Sequence, residues 1–246
     1  MKILCIIQAR MGSERLPGKV IKPILGQPMI LYTLNRLKKS KYIDEIVLAT
    51  SQEKKEQPLV NIVNENGYEV FRGEEDNVLK RYVDTHKRYG GDIVIRVTGD
   101  CPLIDPFVVD NVITYFVANN CDYVRLDIPN SFIRGFDVEI FSKEALSKTF
   151  QEVSLLEDEK ANRFKEHVTL YMYENKSKFK TGYVEGSNFY NKDYRLCVDT
   201  EEDFKLVNYI FDYFKDEYVS AKEVINFLDK NKQLAYINKD IKQKNI

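Results

Sequence analysis

Short apolar runs alternate with longer amphipathic segments along the first half of this chain of 246 residues. The apolar runs lie at residues 2–7, 45–49, 68–71, 92–97 and 122–126. Their length and near-continuous hydrophobicity are typical of strands that are buried on both faces. The segments between them carry apolar residues at helical spacing, as at residues 28–37 and 78–88. This order predicts an α/β fold with a doubly wound, mostly parallel sheet, in which ligands bind at the carboxyl ends of the strands.

The second half, residues 127–246, has a less regular pattern. It predicts strands at residues 135–141, 179–184 and 194–198 and helices at residues 157–173, 201–214 and 221–228. Ser220 is placed to cap the last of these helices. No internal repeat and no Pro- or Gly-rich linker separates the two halves. We therefore expect a single domain over residues 1–246, with a smaller β-containing subregion in its second half.

Charge and composition exclude several classes of protein. Lys and Arg number 37 and Asp and Glu 38, whereas proteins that bind nucleic acid backbones are usually basic. No apolar stretch approaches the ~18 residues of a membrane span, and the run at residues 2–7 is too short for a signal peptide. The four cysteines form no CxxC pair and there are only two histidines, which argues against zinc. We expect a cytoplasmic protein with reduced thiols and with no nucleic acid or membrane partner.

The loop after the first strand combines cations, glycines and a proline. Its cations are Arg10, Arg15 and Lys19, and its glycines are Gly12 and Gly18. Glycine lets the backbone approach an anion closely, and arginine and lysine can neutralise phosphate charge from several directions, as a triphosphate requires. It is not a Walker A loop, because five residues separate the glycines and Val20 follows the lysine. The alternative is a basic surface loop on a structural turn.

A longer series of motifs resembles the cytidylyltransferases related to the spore-coat polysaccharide protein SpsF, which are cousins of the CMP-KDO and CMP-sialic acid synthetases. The matching segments are residues 6–19, 46–50, 71–73, 78–82, 98–102, 135–139, 166–169 and 195–200. They span nearly the whole chain, and the first loop and the Gly-Asp-Cys-Pro element at residues 99–102 are the most specific in combination. The resemblance implies a GT-A-like nucleotide-diphospho-sugar transferase fold, CTP as the donor and Mg²⁺ as the cofactor.

The resemblance also implies roles for individual residues. Residues 1–126 would bind the nucleotide, and residues 127–246 would bind the acceptor and form a homodimer. The expected catalytic residues are Arg10, Lys19 and Asp100. The expected nucleotide-binding residues are Gln8, Ala9, Arg10, Met11, Gly12, Arg15, Lys19, Ser51, Arg72, Thr98, Gly99 and Asp100.

Two aspartates at strand ends are candidates for the metal site. Asp100 directly follows the strand at residues 92–97, and Asp199 follows the one expected at residues 194–198. Mg²⁺ prefers one or two carboxylates together with phosphate oxygens and water. Asp100 could instead be a turn residue, and Asp199 or Thr200 could cap the next helix. Cys101 has no base near it in the sequence, so we do not expect a catalytic thiol.

Residues in the second half indicate an anionic acceptor. The expected acceptor-binding residues are Arg134, Asp137, Glu139, Arg163, His167 and Arg195. Asp137 and Glu139 would share one face of a strand, and Arg163 and His167 one face of a helix. The alternatives are a solvated strand face, a structural histidine, and cations paired with Glu157, Asp158 and Glu166.

The identity of the acceptor stays open. This chain has Thr-Gly-Asp-Cys-Pro where CMP-KDO synthetases have a Gln-Gly-Asp-Glu-Pro type of element, which makes 2-keto sugar acids less secure as acceptors. The expected acceptor is a small phosphorylated metabolite such as phosphoglutamine, or a sugar acid, used for capsule or other surface polysaccharide. The alternatives are a GT-A-type glycosyltransferase and a nucleotide-binding regulator without turnover.

A homodimer is expected from the family, and aromatic side chains in the second half would suit its interface. They are Phe132, Phe136, Phe141, Tyr171 and Tyr173.

Overall fold

A mostly parallel sheet forms the centre of the computed structural model, which describes residues 1–157 and 159–243. The strands of this sheet are β1 (Ile3–Gln8), β4 (Glu45–Ser51), β5 (Glu69–Gly73), β6 (Ile93–Thr98), β7 (Tyr123–Leu126), β8 (Glu139–Ser142) and β9 (Thr181–Val184), while β2 (Pro23–Ile24) and β3 (Gln27–Pro28) form a separate hairpin. The order across the sheet is β5-β4-β1-β6-β8-β7-β9. Within the described residues of this seven-stranded sheet, only β8 runs antiparallel to its neighbours. The predicted α/β fold is confirmed.

Helices cover both faces of this sheet. They are α1 (Met29–Leu37), α2 (Gln57–Glu65), α3 (Val78–Tyr89), α4 (Pro106–Asn119), α5 (Lys143–Ser154), α6 (Glu159–Glu166), α7 (Leu170–Glu174), α8 (Glu201–Phe214), α9 (Ala221–Lys230) and α10 (Lys232–Ala235). Short 3-10 helices lie at Lys19–Ile21 and Lys54–Glu56. No helix in the part of the chain described is long and apolar enough to cross a membrane.

Local sequence explains where several helices begin. Asp105 caps α4 by accepting hydrogen bonds from the amides of Phe107 and Val108, and Pro106 occupies the first helical position, where no amide donor is needed. Ser220 caps α9 as predicted, in a reciprocal box with Glu223. The cores on the two faces of the sheet then bury the apolar sides of the helices.

Three predicted elements in the second half are wrong in extent. The strand expected at residues 135–141 begins only at Glu139, and residues 194–198 form no strand apart from one isolated bridge between Arg134 and Arg195. The helix expected at residues 157–173 is two helices, α6 and α7, and Asp158 lies outside the described residues. The segments at residues 134–138 and 194–198 pack against one another instead, since the amide of Leu196 donates to the carbonyl of Arg134 at 2.8 Å.

Four of the five aromatic side chains expected at a homodimer interface are buried within the single chain, while Tyr173 is partly exposed. Phe136 and Phe141 have no exposed surface, and Phe132 and Tyr171 are each 6% exposed within the single chain. Phe132 stacks on Tyr190 and belongs to one of the two cores. These four side chains are already in the interior of the monomer, so they are not available to a second copy. The homodimer itself stays a prediction.

Candidate functional site

The loop after β1 lies at the carboxyl edge of the parallel strands. The amide of Met11 donates to the buried carboxylate of Glu56 at 2.9 Å, and the amide of Gly18 donates to the Met11 carbonyl at 3.0 Å. Glu56 also accepts from the hydroxyl of Thr50 at 2.9 Å, so the loop is fixed to the end of β4. The sequence did not indicate that Glu56 anchors this loop.

A cleft of about 300 Å³, which we call the loop cleft, opens beneath this loop. It is lined by predicted nucleotide-binding residues, namely Gln8, Ala9, Arg10, Gly12, Arg15, Lys19, Thr98, Gly99 and Asp100. Asp199 and Glu166 also line it. Gly99 lies against Ala9. A Cβ atom on residue 99 would come within 2.7 Å of the alanine side chain, so the glycine allows the ends of β1 and β6 to approach closely here. The loop cleft therefore combines backbone turns with three cations and with the carboxylates of Glu14, Asp100, Glu166 and Asp199.

Lys19 joins the two candidate metal ligands. Its buried Nζ atom lies 2.8 Å from Asp100 Oδ2, 2.9 Å from Asp199 Oδ1 and 2.7 Å from the carbonyl of Val198. Burial opposes the charge of Lys19, but the two carboxylates outweigh it and raise the pKa of Lys19 above its ordinary value. Burial likewise acts to raise the pKa of Asp100, but Lys19 outweighs it and holds that pKa below its ordinary value.

Asp199 is held by arginines on its other carboxylate oxygen. Arg15 lies 2.9 Å and Arg195 2.5 Å from Asp199 Oδ2. The cap of α8 is Thr200, whose side chain accepts from the amide of Asp203. The alternative interpretation of Asp199 as the cap is therefore wrong, and its carboxylate is directed to the loop cleft.

A second cleft, of about 520 Å³, adjoins the first. We call it the arginine cleft, because Arg15, Arg96, Arg125 and Arg134 line it together with His167. The two clefts have in common Arg15, Thr98, Asp100, Glu166 and Asp199. The acidic pair of Asp100 and Asp199 thus lies where the two clefts meet.

The acidic pair fits a hard divalent cation that also binds substrate. Carboxylate oxygens are the ligands that Mg²⁺ prefers, and this ion usually takes one or two of them and completes its shell with phosphate oxygens and water. No group of three or more His, Cys, Asp or Glu side chains within residues 1–157 and 159–243 forms a metal cage. The donor set therefore suits a metal that arrives with a phosphorylated ligand.

Several predicted residues lie away from both clefts. Arg72 is held by the carbonyls of Ser51, Gln52 and Glu53 at 2.9–3.2 Å, so it fastens the end of β4 to the end of β5. Ser51 is itself fully buried. Ser51 and Arg72 line neither cleft, because their local hydrogen bonds turn them into the loop that follows β4, and their contact with the nucleotide stays a prediction.

Three further predicted residues are displaced from the expected positions. Arg163 is exposed and lies 3.5 Å from Glu174, outside both clefts, whereas His167 follows the end of α6 and lines the arginine cleft. Arg195 binds Asp199 and the buried Asp203, so its side chain supports the acidic pair. Met11 contributes to the loop through its backbone.

The two acidic residues of the 135–139 segment differ in their surroundings. Glu139 pairs with Arg96 and accepts from the hydroxyls of Tyr123, at 2.5 Å, and Thr169, at 2.7 Å. Glu139 lines the arginine cleft, but its oxygens are engaged by the protein, and its contact with the acceptor stays a prediction. Asp137 accepts from the amide of Gly135 at 2.6 Å and lines the cleft, and burial raises its pKa above the ordinary value.

The arginine cleft contains residues that are absent from the expected acceptor-binding set, although Arg125 belongs to the group of second-half cations that suits an anionic acceptor. Arg96 and Arg125 both interrupt apolar strands, β6 and β7, with a charge. A lone arginine within an otherwise buried strand needs a partner or a ligand, and that signal could have found both residues. Tyr173, whose ring lies beneath Arg125, carries no comparable signal in the sequence.

The parallel sheet, the cationic glycine-containing loop at its carboxyl edge and the acidic pair beside that loop define an α/β nucleotidyltransferase. The chain belongs to the cytidylyltransferase family, whose family model matches residues 4–245. It is therefore an enzyme of the nucleotidyltransferase class. The predicted family is confirmed, and with it the expected enzyme class.

Relatives over nearly the full length agree with this assignment. The chain is 40% identical to the uncharacterized protein MJ1063 of Methanocaldococcus jannaschii over 99% of this chain and 97% of that one. It is 32% identical to the spore coat polysaccharide biosynthesis protein SpsF of Bacillus subtilis over 95% of this chain and 96% of that one. A solved structure of a cytidylyltransferase from Leptospira borgpetersenii is 33% identical, with a TM-score of 0.88 and full coverage of both chains.

Proposed function

We propose that this enzyme transfers CMP from CTP to a small anionic acceptor and releases pyrophosphate. The observation that carries this proposal is the meeting of two clefts at the Asp100–Asp199 pair, with a cationic loop on one side and arginines on the other. Such an arrangement suits nucleotidyl transfer, because the α-phosphorus of the nucleotide must lie in line between the acceptor oxygen and the leaving pyrophosphate. Membership of the cytidylyltransferase family supports CTP as the nucleotide.

The loop cleft would hold the triphosphate. Arg10 and Arg15 line this cleft, and their guanidinium groups can form paired hydrogen bonds with phosphate oxygens. Lys19 would neutralise charge that develops on the phosphates during transfer. Gln8, Thr98 and Gly99 line the base of the cleft at the ends of β1 and β6, where nucleotides bind in α/β sheets of this kind.

Asp100 and Asp199 would hold Mg²⁺ together with phosphate oxygens of CTP. When bound, the ion would supply positive charge to the phosphates and orient them. Arg195 and Arg15 hold the Asp199 carboxylate in place, while Lys19 spans both carboxylates. The choice of Mg²⁺ rests on the chemistry of these oxygen donors.

The reaction is an in-line displacement at the α-phosphorus of CTP. An acceptor oxygen forms a bond to this phosphorus, and the bond from the phosphorus to the bridging oxygen of the β-phosphate breaks. The bonding electrons leave with pyrophosphate, and a hydroxyl acceptor also loses its proton to solvent or to a nearby base. The protein contributes mainly position and positive charge, as in other phosphoryl transfers.

An anionic acceptor fits the arginine cleft better than a neutral one. Its lining includes Arg96, Arg125 and Arg134, and charge-assisted hydrogen bonds to such groups contribute roughly 1.5–3 kcal/mol each. The printed name of the SpsF relative refers to polysaccharide biosynthesis, and we propose that the product here serves surface polysaccharide or capsule. A small phosphorylated metabolite and a sugar acid are the two acceptor classes to test.

The cytoplasm is the compartment we propose for this reaction. The four cysteines of the chain are free and buried in the structure, as is typical of proteins in reducing compartments.

A pyrophosphate-release screen tests this function. CTP and Mg²⁺ are incubated with a panel of phosphorylated metabolites and acidic sugars, and UTP, ATP and GTP serve as nucleotide controls. We expect release only with CTP and only with an anionic acceptor. Binding of CTP without release against any acceptor would instead support a regulator, and release of a nucleoside diphosphate from a sugar nucleotide would support a glycosyltransferase.

A further inference from the structure

Four neighbouring strands place a row of side chains across one face of the sheet beside the arginine cleft. Arg96 on β6 lies opposite Glu139 on β8, Glu139 lies opposite Arg125 on β7, and Arg125 lies opposite Tyr183 on β9. Residues directly opposite one another on adjacent strands have side chains on the same face. The row therefore brings two guanidinium groups to the cleft with one carboxylate between them.

The carboxylate in this row is committed to Arg96. Arg96 and Glu139 form a close ion pair, and Glu139 accepts further hydrogen bonds from Tyr123 and Thr169. Arg125 forms no ion pair with any carboxylate in the described part of the chain, and its buried Nε atom has no hydrogen-bond partner there. A charged group that is partly removed from water without a partner is costly, so Arg125 is suited to a ligand.

Two aromatic rings fix the position of Arg125. The centre of its guanidinium group lies 4.6 Å from the ring centroid of Tyr173 and 5.4 Å from that of Tyr183. These contacts are cation–π interactions, which hold the planar group while leaving its edge available for hydrogen bonds. A preorganised guanidinium edge is the donor geometry that binds phosphate and carboxylate oxygens in pairs.

The other charges of the cleft are largely compensated. Asp100 and Asp199 are compensated by Lys19, by Arg15 of the loop and by Arg195. Arg134 forms a looser ion pair with Asp137, at 3.8 Å, which is longer than a hydrogen bond. Arg125 and Arg134 are thus the two arginines of this cleft that no carboxylate of the described residues holds at hydrogen-bond distance.

We propose that Arg125, held between Tyr173 and Tyr183, is the residue that determines acceptor specificity by binding the acceptor's anionic group. This inference rests on the proposed function and deepens it. Arg134 supplies a second positive charge to the same cleft, so a group with two negative charges matches better than one with a single charge. The anionic group of the acceptor is therefore a phosphate monoester rather than a carboxylate.

Calorimetric titration tests this proposal without a known acceptor. The protein is first saturated with Mg²⁺ and α,β-methylene CTP, which fills the loop cleft and cannot be transferred. Inorganic phosphate and acetate are then titrated as the simplest probes of the two anion classes. We expect phosphate to bind more tightly than acetate, and we expect Arg125→Gln to weaken phosphate binding by about 10- to 100-fold.

Two further variants make the titration specific. Arg88→Gln is the matched control, because Arg88 is an exposed arginine that also stacks on a tyrosine, Tyr89, at 5.3 Å on α3. It should leave phosphate binding unchanged. Arg125→Lys keeps the charge but not the planar edge, so it should weaken phosphate binding less than Arg125→Gln does. If circular dichroism shows that Arg125→Gln is unfolded, Arg125→Lys is used in its place.

The outcomes separate the two proposals. Absence of binding of α,β-methylene CTP to the wild-type protein would contradict the proposed function. Normal nucleotide binding, with phosphate bound equally by the wild-type protein and both Arg125 variants, would overturn the assignment of Arg125 alone. Acetate binding as tight as phosphate binding would overturn the choice of a phosphate monoester.

Discussion

Lys19 bridges the two candidate metal ligands, Asp100 and Asp199. Its position at the end of the loop is evident in the sequence, but its partners are 81 and 180 residues away along the chain. No local pattern reports a contact over such separations. The same limit applies to Glu139. Its carboxylate pairs with Arg96 on the neighbouring strand and so supports the wall of the arginine cleft, a contact that the sequence alone does not show.

Replacement of Lys19 by alanine should lower turnover by on the order of 10²–10³-fold, the scale for loss of one preorganised charge donor. It should also increase the affinity of the nucleotide-free protein for Mn²⁺, because Asp100 and Asp199 would lose the cation between them. Pyrophosphate release and a metal titration measure the two effects. Turnover close to wild type in a folded Lys19→Ala protein would show that the loop lysine has no role in transfer.

Replacement of Asp100 by asparagine should abolish metal-dependent turnover while the fold is kept. Asparagine has nearly the same shape but lacks the charge that a hard cation requires. The measurement is pyrophosphate release over a range of Mg²⁺ concentrations, with circular dichroism to check folding. Cys101→Ser is a neighbouring control, which should keep most activity because the buried thiol has no catalytic role in this account. Unchanged activity and metal dependence in Asp100→Asn would place the metal elsewhere.

At the scale of elements, the sequence predicted the first half of the fold better than the second. Strands such as β1 and helices such as α3 are set by local hydrophobic pattern and capping, which a sequence displays directly. The segments at residues 134–138 and 194–198 are far apart in the sequence but pack against each other in the fold. Their pattern resembles that of strands, but tertiary contacts decide their hydrogen bonding.

Gly135 marks the point where these two segments touch. Its φ is +111°, and a Cβ atom there would lie 2.5 Å from the carbonyl carbon of Leu196. Gly135→Ala should therefore lower the free energy of unfolding by about 2 kcal/mol or more, since backbone strain and a steric clash add. Denaturant unfolding measures this change.

The matched control for Gly135 is Gly67→Ala. Gly67 also has a positive φ, +77°, but a Cβ atom there would meet nothing within 4 Å. Gly67→Ala should lower the free energy of unfolding by only about 1–2 kcal/mol, the cost of the left-handed backbone alone. Equal losses of stability for the two variants would show that the contact between residue 135 and Leu196 is not tight.

At the scale of the whole molecule, two clefts share one acidic pair at the carboxyl edge of a single sheet. The sequence indicated the loop cleft almost completely, because its residues follow two strand ends in short motifs. The arginine cleft was only partly predictable, since Arg96 and Arg125 come together through the register of four strands. That register is a property of the folded sheet and not of any one segment.

The most direct measurement of the central claim follows the phosphorus atoms of CTP. CTP labelled with ³²P at the α-phosphate and CTP labelled at the γ-phosphate are incubated separately with Mg²⁺ and the panel of phosphorylated and acidic acceptors, with Asp100→Asn as the inactive control. Our account predicts that α-label enters an acceptor product, while γ-label leaves as pyrophosphate. Transfer of γ-label to an acceptor, or no transfer of α-label to any of them by a protein that binds CTP, would contradict it.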